Sequence, residues 1–317
     1  MRSCVHQAQI QGCDRLIDFL RIRREAICMN LSDNMRGAVF MMVSMAAFVI
    51  NDSLMKSLSG EIPLFQAIFL RGVFATLLVS ALAARAGVIR WSALAPVDRP
   101  TAIVRVCAEI GVTSCFLQAL FNMPLANATA ILQGAPFALT FAAAVFLREK
   151  VGWRRWSAVM VGFVGVLMIV QPGGADFNEA SYYALGAVCF LVIRDLATRR
   201  LSPATPSLFI TMMTAIAITC LGGAVTATNS WQPVDVATLA HLALSACFLF
   251  CGYLFSVMTM RVGEMSFIAP FRYTILIWAL LLGVFVFGEI PNTLAMLGAA
   301  IVVSAGLYTF FRERSVR

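Results

Sequence analysis

Charge is what this sequence has least of. Only 13% of its 317 residues are Asp, Glu, Lys or Arg, about half the share usual in a soluble domain. Lysine is confined to Lys56 and Lys150, and the rest of the 24 basic residues are Arg. Histidine is confined to His6 and His241, and the nine Cys contain no CxxC. Their only close pair is Cys247 and Cys251, one helical turn apart, so neither a metal site nor a disulfide framework is indicated. Cys107, Cys115, Cys189 and Cys220 stand singly in apolar stretches and read as small buried hydrophobes. HExxH, GxSxG, GxxxxGK[ST] and GxGxxG are all missing, which argues against an enzyme and excludes an ATP-driven pump on this chain alone.

What is present in their place is apolar: 60% of the residues. A soluble fold of this size cannot hide so much apolar surface, whereas a bilayer accepts it at about 20 residues per crossing. Runs of spanning length, bounded by Pro, Gly or charge, lie at 36–57, 63–84, 102–121, 128–147, 155–170, 181–198, 205–225, 236–258, 266–287 and 293–311. These are spans 1 to 10 of an all-α integral membrane protein. Residues 1–35 form an N-terminal tail and 312–317 a C-terminal one. The first 28 residues read either as an amphipathic surface helix or as translated upstream sequence with Met29 or Met35 as the start, and are expected to be dispensable.

The net charge of +8 is not a nucleic-acid face, because the basic residues fall in short groups between spans. With the N-terminus in the cytoplasm, Arg85–Arg105, Arg148–Arg155, Arg194–Arg200, Arg261 and the tail residues Arg312, Arg314 and Arg317 all fall on the cytoplasmic side. Only Lys56 falls outside. That asymmetry fixes the orientation and puts both termini in the cytoplasm, which an even number of spans requires.

Two stretches of the chain look alike. Ala135-Pro136-Phe137 leads through Phe146-Leu147-Arg148-Glu149 to a helix containing Gly162 and Gly165. Ala269-Pro270-Phe271 leads through Phe287-Gly288-Glu289 to Gly298 and Gly306. The copies fall in spans 4–5 and 9–10, so each repeat has five spans and the second enters the membrane inverted. Repeats of this kind build transporters whose substrate site lies between the halves. The division expected is 36–170 for the first repeat and 181–311 for the second.

With this organisation, the FLREKVGWRRW junction, the RDLATRR end of span 6 and APFRYTILIWALLLGVFVFGEIP make the chain resemble the drug/metabolite transporter superfamily, EamA type, over roughly residues 36–311. The resemblance implies a ten-helix inverted-repeat bundle with a central cavity and a small metabolite as substrate: an amino acid, a vitamin such as riboflavin, or S-adenosylmethionine. It implies alternating access in the cell inner membrane. A non-transporting assembly or signalling subunit is the alternative, and a membrane enzyme the next.

Charged groups inside the hydrocarbon are costly and so are the candidates for function. Asp52 and Lys56, one turn apart in span 1, are expected to neutralise each other, with Asn51 as a polar neighbour. Arg71 lies about 12 Å deep in span 2, at 1.5 Å per residue, and needs a partner, a wet cavity or substrate. Arg105 and Glu109, again one turn apart, are expected to pair. Arg272 and Tyr273 in span 9 are candidates for the cavity wall, and Trp278 for stacking a planar ligand. Gln118 and Gln133 either bond across helices or orient a ligand. Glu149 and Glu289, at helix ends, read as structural. The substrate-binding set is therefore Asn51, Asp52, Arg71, Glu109, Gln118, Gln133, Arg272, Tyr273 and Trp278. The in-span charges carry a positive surplus, suited to a carboxylate on the substrate. No cofactor or metal is expected. Any coupling proton requires a titrating carboxylate, for which Asp52 and Glu109 are the candidates.

Overall fold

The computed structural model describes residues 32–315 apart from 88, 90–95, 147–151, 174–177, 203–204, 230, 260–261 and 263–264. The N-terminal tail through residue 31, Arg90, Arg148, Glu149, Lys150, Arg261 and Arg317 lie outside the described residues, as does the expectation attached to each.

Among the described residues the chain is helical throughout. In hydrocarbon every backbone N–H and C=O must find a partner within the protein, and a helix supplies one without leaving the segment. Span 1 is α1 (Asp33–Ser57), span 2 α2 (Leu64–Arg85) and span 3 α3 (Arg99–Asn122). Span 4 is two pieces, α4 (Leu125–Leu132) and α5 (Ala135–Phe146), and span 5 is α6 (Trp153–Val170). The second half follows with α7 (Glu179–Arg200), α8 (Ser207–Thr228) and α9 (Val236–Thr259). Span 9 is again broken, into α10 (Met265–Ile268), a 3-10 stretch (Ala269–Tyr273) and α11 (Thr274–Phe287), and α12 (Thr293–Ser315) is span 10. Among the described residues, eight stretches are long and apolar enough to cross a membrane, and Trp156–Val170 and Thr293–Tyr308 are shorter apolar helices.

The breaks have one cause. Proline has no N–H and crowds the carbonyl four residues back, so the helical ladder fails where Pro136 and Pro270 stand. Before Pro136 the bonds tighten, with Gly134 N donating to Ile131 O at 3.0 Å and Gln133 N to Ala130 O at 3.1 Å. The two Ala-Pro-Phe copies thus mark the same defect in spans 4 and 9. Helix starts are supplied by side chains where the sequence offers them. Asn178 Oδ1 accepts from Ala180 N at 3.0 Å, and Asp235 Oδ1 from Thr238 N at 2.8 Å.

The principal packing partners are α1 with α9, α3 with α7, α2 with α8 and α6 with α12. Exchanging every span for the one five places away returns the same four pairings. Close approach at α6 and α12 depends on glycine: a Cβ on Gly298 would stand 2.6 Å from the Gly165 carbonyl oxygen. Large apolar side chains such as Phe146, Phe285 and Leu77 cover the outside of the bundle, where acyl chains lie. Cys107, Cys189 and Cys220 are also exposed there, and Cys115 is half-buried, which corrects the expectation of buried thiols. A weakly polar thiol is tolerated by lipid as readily as by a core.

Candidate functional site

A cavity of about 200 Å³ lies between the halves, lined from spans 1, 2 and 3 and from spans 7 and 8. Its charged lining is Asp52, Arg71, Arg105 and Glu109. Apolar walls, including Phe116, Ile218, Leu249 and Phe250, surround these groups, as in most small-molecule sites.

At one end Asn51 is the hub. Its amide nitrogen donates to Asp52 Oδ1 at 2.9 Å, while its Oδ1 accepts from Ser245 Oγ at 2.8 Å and Arg71 Nη1 at 3.3 Å. Asn51, Arg71 and Ser245 are all buried. Arg71 makes that one side-chain bond among the described residues, leaving most of its five donors turned to a cavity it lines. At the other end Arg105 is held by hydroxyls, Nε donating to Thr198 Oγ1 and Nη1 to Thr214 Oγ1, both at 3.1 Å. Glu109 pairs with Arg194 Nη1 at 3.3 Å, and Arg194 also binds Asp195 at 2.8 Å. Exposure is lowest at the Asn51 end, 2% at Asn51 and 7% at Arg71, and rises to a half-buried Arg105 whose partner Thr198 is exposed.

The opposite end is tied shut. Lys56 Nζ stands 2.6 Å from Glu289 Oε1, donates to the Met123 carbonyl and sits over the Phe287 ring. Glu289 Oε2 also accepts from Leu125 N at 2.9 Å. Spans 1, 4 and 9 are joined by this one carboxylate. Glu289, expected to be structural from its place at a helix end, thus holds three parts of the bundle together.

Both expected self-pairs are therefore replaced. Lys56 pairs with Glu289 and not Asp52; Glu109 pairs with Arg194 and not Arg105. A tertiary partner meets a buried charge from the side, where the helix's own next turn meets it only along the axis. The positive surplus is also corrected. Lys56 and Arg272 do not line the cavity, so its lining carries two guanidinium groups and two carboxylates.

The structure brings together Asn51, Asp52, Arg71 and Glu109 from the expected set and places the others elsewhere. Gln118 is half-buried on α3, and Gln133 is buried at the break between α4 and α5. Arg272 and Trp278 are exposed. The Tyr273 hydroxyl fills the space over Gly306 on α12. Sequence reasoning missed Arg194 as a partner, and also Thr113, Thr211, Thr214 and Tyr253 in the lining. Threonine is ordinary in membrane helices, so nothing in its spacing distinguished these positions.

Known proteins agree with this architecture. Residues 35–171, spans 1 to 5, match the model of the EamA-like transporter family. The chain is 26% identical to an S-adenosylmethionine uptake transporter of Rickettsia bellii, over 88% of this chain and 94% of that one. It is 30% identical to a riboflavin transporter of Vibrio cholerae, over 62% of this chain and 66% of that one. A pseudopaline exporter of Pseudomonas aeruginosa is 25% identical over 85% of this chain and 94% of its own. Among solved structures, one crystal structure superposes with a TM-score of 0.58 at 17% identity, covering 84% of this chain and 95% of that one, a likeness of fold alone. The chain is a multi-pass membrane protein whose residues 35–171 match the EamA-like transporter family.

Proposed function

We propose that this protein is a secondary transporter that carries a small organic metabolite bearing a carboxylate across the cytoplasmic membrane by alternating access. The observation that carries the reading is the cavity itself. It holds a buried arginine with free donors and is lined from both halves of the chain. In this reading 36–170 and 181–311 are inverted five-span repeats, a division supported by the pairings that survive exchange of the halves. The Lys56–Glu289 end faces outward, and the Arg105 end and both termini face the cytoplasm. Arg71 grips the substrate carboxylate through its planar fork, and the aromatic walls hold the rest.

Relatives that move S-adenosylmethionine and riboflavin set the size of cargo to try first. The purified protein in liposomes is tested for uptake of labelled S-adenosylmethionine, methionine and riboflavin. A carrier exchanges at least one of them without a second protein. A non-transporting subunit, or an enzyme, exchanges none.

A further inference from the structure

The cavity lining balances two guanidinium groups against two carboxylates, a pattern that a ligand bearing one group of each sign would match. The two carboxylates are not held alike. Asp52 accepts from Asn51 at 2.9 Å, beside Arg71. Glu109 is held loosely, because both of its oxygens share the single Nη1 of Arg194, each at 3.3 Å. Charge-assisted bonds of full strength are nearer 2.7–2.9 Å. The tighter grip of Arg194 goes elsewhere: Nε and Nη2 both donate to Asp195 Oδ1, at 2.9 and 2.8 Å.

One guanidinium thus serves two carboxylates, and its weaker bond is to the one that lines the cavity. In an isolated pair at this depth, drawing Glu109 away would leave Arg194 a desolvated, unpaired cation, which is strongly unfavourable. Asp195 removes that penalty. It stays on Arg194 whether or not Glu109 does, and it lies outside the cavity with its side chain 36% exposed. Among the described residues, Arg194 is the only donor to Glu109, so exchange frees both oxygens together.

We propose that Glu109 receives the cationic group of a zwitterionic substrate, and that Asp195 is a positioning residue that keeps Arg194 neutralised while Glu109 exchanges partners. The inference rests on the cavity being the substrate site and adds the second charge of the cargo. Arg71 takes the anionic group and Glu109 the cationic one.

The test is ligand binding to the purified full-length protein, with thermal shift and radioligand displacement as readouts. The probes are S-adenosylmethionine, S-adenosylhomocysteine, methylthioadenosine (which lacks both the carboxylate and the ammonium) and riboflavin. The wild type is expected to prefer the two zwitterions over methylthioadenosine. Glu109→Gln should weaken the zwitterions about tenfold and leave methylthioadenosine unchanged. Asp195→Asn should weaken them by a similar factor without touching the ligand, because Arg194 then commits to Glu109. Asp195→Glu should restore the preference, which a merely structural role for Asp195 does not require. Equal affinity for zwitterions and methylthioadenosine, binding confined to neutral riboflavin, or an unchanged preference in both Glu109→Gln and Asp195→Asn overturns the inference alone. Binding of none of the four, with no uptake into liposomes, overturns the transporter reading beneath it.

Discussion

Replacing Glu289 with Gln removes the anion from the sealed end of the bundle and keeps its shape. Lys56 is 8% exposed and the Glu289 side chain 25%, and their atoms stand 2.6 Å apart. The Gln carbonyl can still accept from Leu125 N, so the substitution isolates the charge. Breaking a buried pair costs about 3–5 kcal/mol, and the partial exposure of Glu289 reduces this to about 2 kcal/mol. Since the pair joins α1, α4 and α11, that cost falls on the closed arrangement alone. A shift of about 2 kcal/mol changes the closed-to-open ratio roughly thirtyfold. The assay is pulsed electron paramagnetic resonance between labels at Glu61→Cys and Ile290→Cys, both exposed positions, in a background free of other cysteines. Glu289→Gln should add a longer-distance population. Reversing the pair, with Lys56→Glu and Glu289→Lys, should restore the short distance only in part. Lysine at 289 cannot accept from Leu125 N, and glutamate at 56 cannot donate to the Met123 carbonyl. An unchanged distance distribution in Glu289→Gln would refute the role of this pair as a closure.

Other consequences are as specific. Arg71→Gln combined with Asp52→Asn should fold and reach the membrane yet fail to transport; recovered uptake would make the two a structural charge pair. Gly298→Ala places a methyl group against the Gly165 carbonyl and should lower the melting temperature in detergent by the equivalent of about 1–3 kcal/mol, and an unchanged melting curve would contradict that contact. Reporter fusions after Arg155 and Arg200 should read cytoplasmic and those near Asn127 and Gln232 external; one reversed site breaks the ten-span topology. Asp235, in the loop before α9, has its carboxyl pulled below the usual carboxylate range by hydrogen bonds from Thr238. The cap's contribution is therefore complete above the ordinary Asp value near 4 and is lost as pH falls through the lowered folded value. Asp235→Asn, which still caps, should flatten that acid-side loss in hydrogen exchange at the start of α9; an equally steep loss in the variant would assign it to another group.

The spans were legible because bilayer thickness imposes one length on every apolar run, and Pro, Gly and Arg mark the ends. The matching breaks in spans 4 and 9 were legible because proline leaves the same trace wherever it recurs, at Pro136 and at Pro270. Rotation about the helix axis was not legible. A 3-10 stretch turns about 120° per residue against 100° for an α-helix, so Ala269–Tyr273 shifts the phase of everything after it by roughly a quarter turn. Trp278, five residues beyond that stretch, stands exposed. Partner choice was hidden for a related reason. Asp52 and Lys56, or Arg105 and Glu109, are visibly one turn apart, while the distances to Glu289 and Arg194 are set by how distant helices pack. Asn51 and Arg71 could be found because a polar group deep in an apolar run is exceptional. Thr214 and Tyr253 could not, because in such runs they are commonplace.

The most direct measurement is the initial rate of uptake by proteoliposomes containing either the wild type or Arg71→Lys, matched for protein and for melting temperature, over a concentration series of the exchanged metabolite. The lysine keeps the charge at the buried end of the cavity and loses the two-pronged grip. The expected result is saturable uptake by the wild type and, in Arg71→Lys, an apparent KM raised at least about tenfold, the loss of one strong bidentate contact. Wild-type kinetics in a correctly folded Arg71→Lys protein would contradict the assignment of the substrate site to this cavity.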